Sequence, residues 1–561
     1  MAGEKYTKGT ISDVSWRDML AQDPYYWLSN SFQYSENVNC DDELHWIKLS
    51  QKIQSLNQCA NCQLISAGDK IFALPLSWWQ AKTITYNGST WSTSTVSGAT
   101  FPSSVKPAGV VFQDYVRVTY SATSTGALVK TPVTWEGGFA PYVPFDHTDD
   151  TDESIGTEST RTNPMTWWAG VILNYNNSRL VVGVLNELRV YYPELDATND
   201  KSPYYKPGAV AGRTWWKKVQ SFEWGSIIIW LTCTFEYLKV WVQDEWWNTK
   251  VFYYQGNNDL RNTFVYDLID LTNTRVLYAY NINGIDYYTA SLDWTDWYIT
   301  LNKIIGKTPV QLFKQKGWLT VYDANQKAWY FVWPTSIDAG YIDWNIYIAD
   351  SYGVFKFAYN PTGYDTWYMK WKIRNTNQRT PWLCIYKNFV VVSDQQGIKM
   401  MRTYDTWVDG YESKGILISR EMEWDYGGSV AKVIDEIRCH FELNPLIDDD
   451  DNAGDIDIYL SPNNKWRDVD PDRDDTGWWH VFHIDGDSSK QNRNTRFEKV
   501  WKLNNLNNWN PAFDFDRETI TYCVVIRKGE SNAKRTPIVR EVSVKYHLKG
   551  KTNDVYEITN N

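Results

Sequence analysis

Alternating apolar and polar residues along most of the chain predict β-strands joined by short polar turns. In the two clearest units, two runs rich in β-branched and aromatic residues flank a four-residue polar turn; they are residues 342–357 and 382–400. Asp350 and Gly353 in the first turn match Asp394 and Gly397 in the second. Such units recurring about 45 residues apart are typical of β-propeller blades.

Similar strand–turn–strand patterns occur earlier in the chain, at somewhat uneven spacing. Their turns and those of the two clearest units lie near residues 187, 237, 284, 324, 351 and 395. Asn87-Gly88 is the favoured two-residue hairpin turn and predicts a further hairpin over 83–93. The fold class predicted is therefore all-β, with a β-propeller of roughly six to eight blades over 65–410.

The flanks of this region have different patterns. Residues 1–64 look irregular and partly helical, because apolar positions in 43–56 form a rough helical stripe. Residues 411–549 contain alternating strands and predict a separate antiparallel β-sandwich. We expect 550–561 to be a flexible tail and the acidic stretch 146–163 to be an exposed loop.

Composition supports β-structure and narrows the functional classes. Aromatic residues make up 16% of the chain, including 32 Trp, and such side chains suit strands. The net charge of −11 argues against a nucleic-acid-binding protein of the usual basic type. The N-terminus has no apolar secretion signal, and no apolar run approaches membrane-spanning length. The seven Cys residues are scattered, which predicts a reducing compartment without a disulfide framework.

Two residue patterns could bind metal or perform redox chemistry. His480 and His483 are three positions apart in a predicted strand, so we expect their imidazoles on opposite faces, unsuited to one metal. Cys59 and Cys62 form a lone CxxC, with Cys40 upstream and no second pair to complete a zinc site. We interpret both patterns as structural, with a metal or redox role as the alternative.

Acidic runs and tryptophan pairs leave further alternatives open. Residues 448–457 and 468–475 could supply calcium ligands, but the second run has Arg473 where a helix–loop–helix calcium loop needs Gly. We therefore favour solvated loops. The five Trp-Trp pairs predict packing between blades, with sugar stacking or a subunit interface as alternatives. They are residues 78–79, 167–168, 215–216, 246–247 and 478–479.

No catalytic motif occurs in the sequence. The sialidase aspartate box, the phosphate-binding glycine patterns and the Gly-x-Ser-x-Gly elbow are all absent. We predict that the protein is not an enzyme, with no catalytic, cofactor-binding or metal residues and no cofactor; a carbohydrate-active enzyme is the less favoured alternative.

The order of parts resembles tail proteins of short-tailed bacteriophages, and is most similar to the tail nozzle, or tail tubular protein B type. The segments that carry the resemblance are 421–443, 455–464 and 538–546. The chain is shorter than typical nozzles and lacks a proline-rich N-terminal signature found in one related group. A nozzle, a hub and a spike therefore all stay open.

The resemblance implies a structural virion protein in a homohexameric ring around the DNA ejection conduit. Its partners would be further copies of itself, adaptor and portal proteins, tail fibres and the passing genomic DNA. It would be located in the virion tail after assembly in the host bacterial cytoplasm. The alternative is a host-recognition spike, or tail-fibre-type protein, whose propeller binds a surface glycan.

Overall fold

The computed structural model describes a chain built from β-strands. The described residues are 5–7, 32–41, 46–75, 80–100, 108–112, 115–121, 124–129, 140–142, 171–175, 179–184, 186–191, 216–234, 237–246, 248–255, 264–272, 274–282, 284–292, 298–316, 320–323, 328–331, 338–342, 345–349, 353–358, 370–372, 382–404, 410–419, 432–443, 454–462, 466–473, 476–484, 497–502, 520–529 and 536–548. Within them every regular element is a strand, which confirms the all-β prediction. They include no helix long and apolar enough to cross a membrane.

The first five strands lie in three different sheets. They are β1 (Lys5–Thr7), β2 (Phe32–Glu36), β3 (Val38–Asp41), β4 (Trp46–Leu49) and β5 (Gln54–Leu56). The helix predicted from the stripe in 43–56 is therefore wrong. Ile47 and Leu49 are both buried and alternate with the partly exposed Lys48, the period-2 pattern of a strand. Burial against other sheets decides the conformation here, not local helical spacing.

Six four-stranded antiparallel sheets follow as simple meanders. Sheet 1 is β6 (Cys62–Ala67), β7 (Lys70–Pro75), β8 (Gln80–Tyr86) and β9 (Trp91–Thr100). Sheet 2 is β10 (Ala108–Phe112), β11 (Tyr115–Ser121), β12 (Ser124–Val129) and β13 (Ala140–Tyr142). Sheet 3 is β14 (Val171–Tyr175), β15 (Arg179–Val184), β16 (Glu187–Tyr191) and β17 (Trp216–Ser221). Sheet 4 is β18 (Ile227–Cys233), β19 (Tyr237–Gln243), β20 (Thr249–Gln255) and β21 (Phe264–Leu271). Sheet 5 is β22 (Thr274–Ile282), β23 (Ile285–Leu292), β24 (Tyr298–Ile305) and β25 (Thr308–Lys316). A two-stranded hairpin of β26 (Thr320–Asp323) and β27 (Ala328–Phe331) precedes sheet 6, which is β28 (Asp338–Ile342), β29 (Asn345–Ala349), β30 (Gly353–Ala358) and β31 (Lys370–Lys372).

Sheet 7 is completed by a strand from far earlier in the chain. Its consecutive strands are β32 (Trp382–Tyr386), β33 (Phe389–Ser393) and β34 (Ile398–Arg402), and β5 pairs along β34 as the fourth strand. The first strands of successive sheets also lie side by side: β6 by β10, β10 by β14, β14 by β18, β18 by β22, β22 by β28 and β28 by β32. β32 in turn lies beside β6, so sheet 7 neighbours sheet 1.

Two larger antiparallel sheets, here called the terminal sheets, combine strands from both parts of the chain. Their later strands are β35 (Lys414–Ser419), β36 (Lys432–Glu442), β37 (Gly454–Pro462), β38 (Trp479–Ile484), β39 (Phe497–Lys502), β40 (Ile520–Lys528) and β41 (Ile538–Leu548). The six-stranded terminal sheet has the order β3-β4-β41-β36-β39, with β1 also on β41, and the five-stranded one has β2-β35-β40-β37-β38. The two share one apolar core, in which Leu49 and Ile437 meet Leu417 and Ile458.

Predicted turns agree with the structure only in part. The hairpin at Asn87-Gly88 is confirmed, but Tyr86 pairs with Trp91, so its loop has four residues and not two. The Asn87 side chain accepts hydrogen bonds from the backbone N–H groups of Ser89 and Thr90, which stabilises the longer loop. The acidic stretch 146–163, the tail 550–561 and Asp350 lie outside the described residues.

Candidate functional site

A polar cluster is centred on Asp457 in β37, the fourth strand of the five-stranded terminal sheet. Its side chain is only 7% exposed. One carboxylate oxygen, Oδ1, lies 2.7 Å from His480 Nε2 and 3.0 Å from His483 Nδ1. The other, Oδ2, accepts a hydrogen bond from the Arg527 guanidinium. Two half-exposed imidazoles and one guanidinium thus converge on a single buried carboxylate.

The prediction that His480 and His483 face opposite sides of their strand is wrong. Ile458 pairs with Phe482 but Tyr459 pairs with His480, so Val481 forms a β-bulge. A bulge inserts one residue into the alternation, which brings positions three apart onto the same face. Both histidines therefore reach the Asp457 carboxylate from adjoining positions.

The acidic run 468–475 is held by cations of the chain itself. Lys414 forms ion pairs with Asp470 and Asp472, and Arg527 Nη2 lies 2.5 Å from Asp472 Oδ1. Asp468 pairs with Arg473 at 3.0 Å. In the described part of the chain no group of three or more His, Cys, Asp or Glu side chains is placed to hold a metal ion. Residues 448–453 and Asp474 lie outside that part.

These contacts fix the charge states of the two central carboxylates. Burial by itself raises the pKa of Asp457, but hydrogen bonding to His480 and the charge of Arg527 outweigh it, so the net pKa lies below its ordinary value. Burial also opposes ionisation of Asp472, yet Arg527 and Lys414 together lower its pKa to about 2. Both carboxylates are therefore ionised at neutral pH, and their pairs with Arg527 and Lys414 tie β35, β37 and β40 together.

We expect the five-stranded terminal sheet to lose stability as the pH falls from about 4 toward 2. A carboxyl group with a lowered pKa in the folded state stabilises the fold above its unfolded pKa, and this contribution disappears as the folded-state pKa is approached. Chemical denaturation followed by tryptophan fluorescence at several pH values measures the effect. Asp472 is 36% exposed, so solvent weakens its share. The variant Asp472→Asn should show a shallower dependence, and an unchanged profile would contradict this assignment.

Cys59 and Cys62 lie in the core between sheets 1 and 7. Both are buried free thiols, packed in one cluster with Cys384 and Phe389. Burial raises the pKa of the Cys62 thiol, and the neighbouring Cys59 adds to the effect. Because the thiolate is the form that binds metal and attacks disulfides, this environment favours the structural interpretation. The side chain of Cys40 is not among those that the structure describes.

The Trp-Trp pairs divide between core and surface. Trp478 is buried, stacks on Trp466 with ring centroids 5.8 Å apart and donates to the Asp468 carbonyl at 2.8 Å. Trp479 packs on the opposite face, against the core shared by the terminal sheets. Trp246, by contrast, is 76% exposed. Trp78, Trp79, Trp167, Trp168, Trp215 and Trp247 lie outside the described residues, and nothing is described of the Trp216 side chain.

Comparison with known proteins gives no family. No family model and no curated protein matches the chain. Among solved structures, it is similar to the extracellular domain of a hybrid two-component system from B. thetaiotaomicron, with TM-score 0.39 and 11% identity over 83% of this chain and 60% of that one. A chain of the mitotic checkpoint complex (TM-score 0.36, 10% identity, 64% and 95% covered) and a protein from Lactobacillus plantarum (0.36, 11%, 64% and 92%) are similar at the same level. The chain spans less than two thirds of the two-component domain, and likeness this weak decides neither fold nor function.

Several key residues escaped the sequence analysis. Arg527 and Lys414 neutralise the acidic cluster, yet each lies near one end of an apolar strand with no motif around it. Trp224 is 95% exposed and belongs to no Trp pair. The sequence of β40 does contain one signal. Arg527 follows a continuous run of buried residues, and a charged side chain at such a position must find a partner.

Proposed function

We propose that the seven four-stranded sheets are the blades of a β-propeller, that the terminal sheets form a β-sandwich, and that the protein is a structural component of a bacteriophage tail. In this proposal it is a nozzle-type subunit of a ring around the DNA conduit. The observation that carries it is the side-by-side order of the first strands, which runs from β6 through to β32 and returns to β6. Radial sheets with their first strands innermost produce this order.

The pairing of β5 with β34 supports the same proposal. Leu56, Ser55 and Gln54 pair with Ile398, Lys399 and Met400, so the last sheet is completed by a strand that directly precedes the first. This hydrogen-bonded join links sheet 7 to sheet 1 through the backbone. A ring joined in this way resists opening, which suits a component of a pressurised conduit.

Charge is compatible with a conduit that lets DNA pass. The chain carries a net charge of −11, and an acidic surface repels phosphate, so the nucleic acid would slide without being held. The partners in this proposal are further copies of the chain, adaptor and portal proteins, tail fibres and transiently the genome. The location would be the virion tail, after assembly in the host bacterial cytoplasm.

Native mass spectrometry and electron microscopy of the full-length chain test the proposal. We expect rings, formed by the purified protein or on its adaptor partner, and density on the tail axis when the chain is placed in a virion map. Monomers alone, both with and without the virion neighbours, would contradict it. A peripheral position in one to three copies would instead favour a host-recognition spike.

One observation favours that second candidate, a glycan-binding head. Trp224 and Trp246 are 95% and 76% exposed. They lie at the same end of the strands of sheet 4, in the loops before β18 and after β19. The loops are adjacent, since a Cβ built on Gly225 would lie 3.6 Å from the Glu245 carboxylate. Each loop is fixed: Ser226 Oγ donates to the Glu223 carbonyl at 2.6 Å, and Asp244 accepts from the backbone N–H of Trp246 at 2.9 Å. Exposed indoles on loops held in this way suit the apolar face of a sugar.

A glycan array with the wild-type chain and the variant Trp224→Ala/Trp246→Ala tests this candidate. We expect discrete hits that disappear in the double variant, whose fold should be unchanged because both side chains are exposed. An array without hits, or hits that survive the substitutions, would exclude this platform as the binding site.

A further inference from the structure

A groove of about 360 Å³ lies at the join between sheets 1 and 7. It is bounded by the β8–β9 loop on one side and by the two-residue β32–β33 turn and the end of β34 on the other. The residues that line it include Tyr86, Asn87, Lys387, Asn388, Phe389 and Arg402. Its volume is within the range of small-molecule sites, about 300–1,000 Å³.

Arg402 is held rigidly in this groove by aromatic rings. Its guanidinium carbon lies 4.6 Å from the Phe389 ring centroid and 5.8 Å from those of Tyr86 and Tyr404. Its Nη2 donates to the Tyr86 hydroxyl at 2.9 Å and its Nη1 to the Tyr404 hydroxyl at 3.2 Å. A guanidinium fixed in this way loses little further conformational freedom when an anion binds beside it.

Lys387 adds a second cation in an unfavourable backbone conformation. It is exposed and has φ +50°, in the left-handed region that Asn, Asp and Gly tolerate far better than Lys. It occupies the turn between Tyr386 and Phe389, which pair directly. The two-residue hairpin requires a positive φ at this position, and the lysine that occupies it lines the groove.

The chemistry of the lining selects the charge of the ligand. Among the described residues, two cations and no carboxylate line this groove, although the chain as a whole is acidic. Tyr86 and the exposed Tyr404 supply ring surface beside Arg402, and Asn87 and Asn388 supply amide groups at the rim. A guanidinium fork binds planar carboxylates or sulfates in a bidentate manner, and aromatic rings pack on sugar rings.

We propose that this groove binds an acidic sugar, with the carboxylate or sulfate at Arg402 and Lys387 and the sugar ring against the tyrosines. The site belongs to the single chain and does not depend on whether the chain assembles into a tail ring. It lies on sheets 1 and 7, apart from the tryptophan platform of sheet 4.

Titration calorimetry of the full-length chain with sialyllactose, a sulfated lactose and neutral lactose tests the proposal. We expect both acidic sugars to bind at least about 10-fold more tightly than neutral lactose, the effect of one charge-assisted contact. The ratio between the two acidic sugars identifies which anionic group the site prefers. Equal binding of acidic and neutral sugars, or no binding at millimolar concentration, would overturn it.

Two variants separate binding from folding. Arg402→Lys keeps the charge but removes the fork and should weaken binding about 10-fold. Lys387→Asn removes one charge and relieves the strained backbone, so it should weaken binding while raising the melting temperature. Lys307→Asn, at the exposed two-residue turn between β24 and β25, is the matched control and should bind like wild type. Wild-type affinity in both groove variants would overturn the site. The state of assembly, measured separately by native mass spectrometry, tests the tail proposal without reference to this result.

Discussion

Replacing Gly397 by Ala should weaken the join between β5 and β34 by about 3 kcal/mol. Gly397 has φ +139°, and a Cβ there would lie 2.3 Å from the Leu56 carbonyl oxygen and 2.9 Å from the Gln58 nitrogen. The left-handed conformation costs Ala about 1–2 kcal/mol and overpacking adds about 1–3 kcal/mol. Both contacts are backbone atoms of the joining segment, so the strand must move.

Hydrogen exchange of the amides in β5 and β34 measures this effect locally. A loss of about 3 kcal/mol corresponds to exchange about 100-fold faster. The matched control is Gly88→Ala, because Gly88 also has a positive φ, +102°, but a Cβ there would meet nothing within 4 Å. The control should lower the free energy of unfolding by only about 1 kcal/mol, the cost of the left-handed backbone conformation, and should leave the β5 amides protected from exchange. Equal effects of the two substitutions would show that the close approach of the new Cβ to the Leu56 carbonyl does not destabilise the join.

Replacing Lys239 by Met should destabilise sheets 4 and 5 by about 3–5 kcal/mol. Lys239 in β19 pairs with Asp286 in β23, and their side chains are 7% and 0% exposed. Asn281 also donates to Asp286, at 2.6 Å. The substitution leaves the Asp286 carboxylate buried with only this neutral partner, and an uncompensated buried charge is far more costly than an absent ion pair.

The double variant Lys239→Met/Asp286→Asn distinguishes the buried charge from lost packing. It removes the carboxylate as well, so we expect it to recover most of the stability lost in the single variant. Urea denaturation and hydrogen exchange of β19 and β23 give the two values. A double variant as unstable as the single one would mean that the lysine side chain contributes through packing against Tyr253, over whose ring its ammonium lies at 5.1 Å.

The strands themselves could be predicted from the sequence, but the distant strands with which they pair could not. Runs of β-branched and aromatic residues located the unit at 382–400, and Val390, Val391 and Val392 are indeed all buried in a strand with neighbours on both sides. The turn at Lys387 and Asn388 was not predicted, because it contains no glycine to mark it as a tight turn. Apolar spacing also assigned 43–56 to a helix, because most of the core cluster that contains Ile47 comes from residues hundreds of positions away.

The polar cluster was beyond sequence reasoning for a different reason. His480, His483 and the acidic run were each recognised as candidates, but their meeting depends on the bulge at Val481 and on cations from β35 and β40. A bulge changes every face assignment beyond it, and one sequence offers no rule for its position. Spacing alone therefore identified the right residues and the wrong geometry.

The pairing of early and late strands has a consequence for biosynthesis. The Leu49 amide donates to the Thr536 hydroxyl at 3.3 Å across 487 residues of chain, and β4 pairs with β41 beside it. At about 5–20 residues per second, a ribosome needs on the order of half a minute to a minute and a half to make the missing partner. Throughout that interval β4 lacks its β41 neighbour in the nascent polypeptide. Chaperone capture during translation should therefore affect the yield of this protein more than that of one whose neighbouring strands are made in succession.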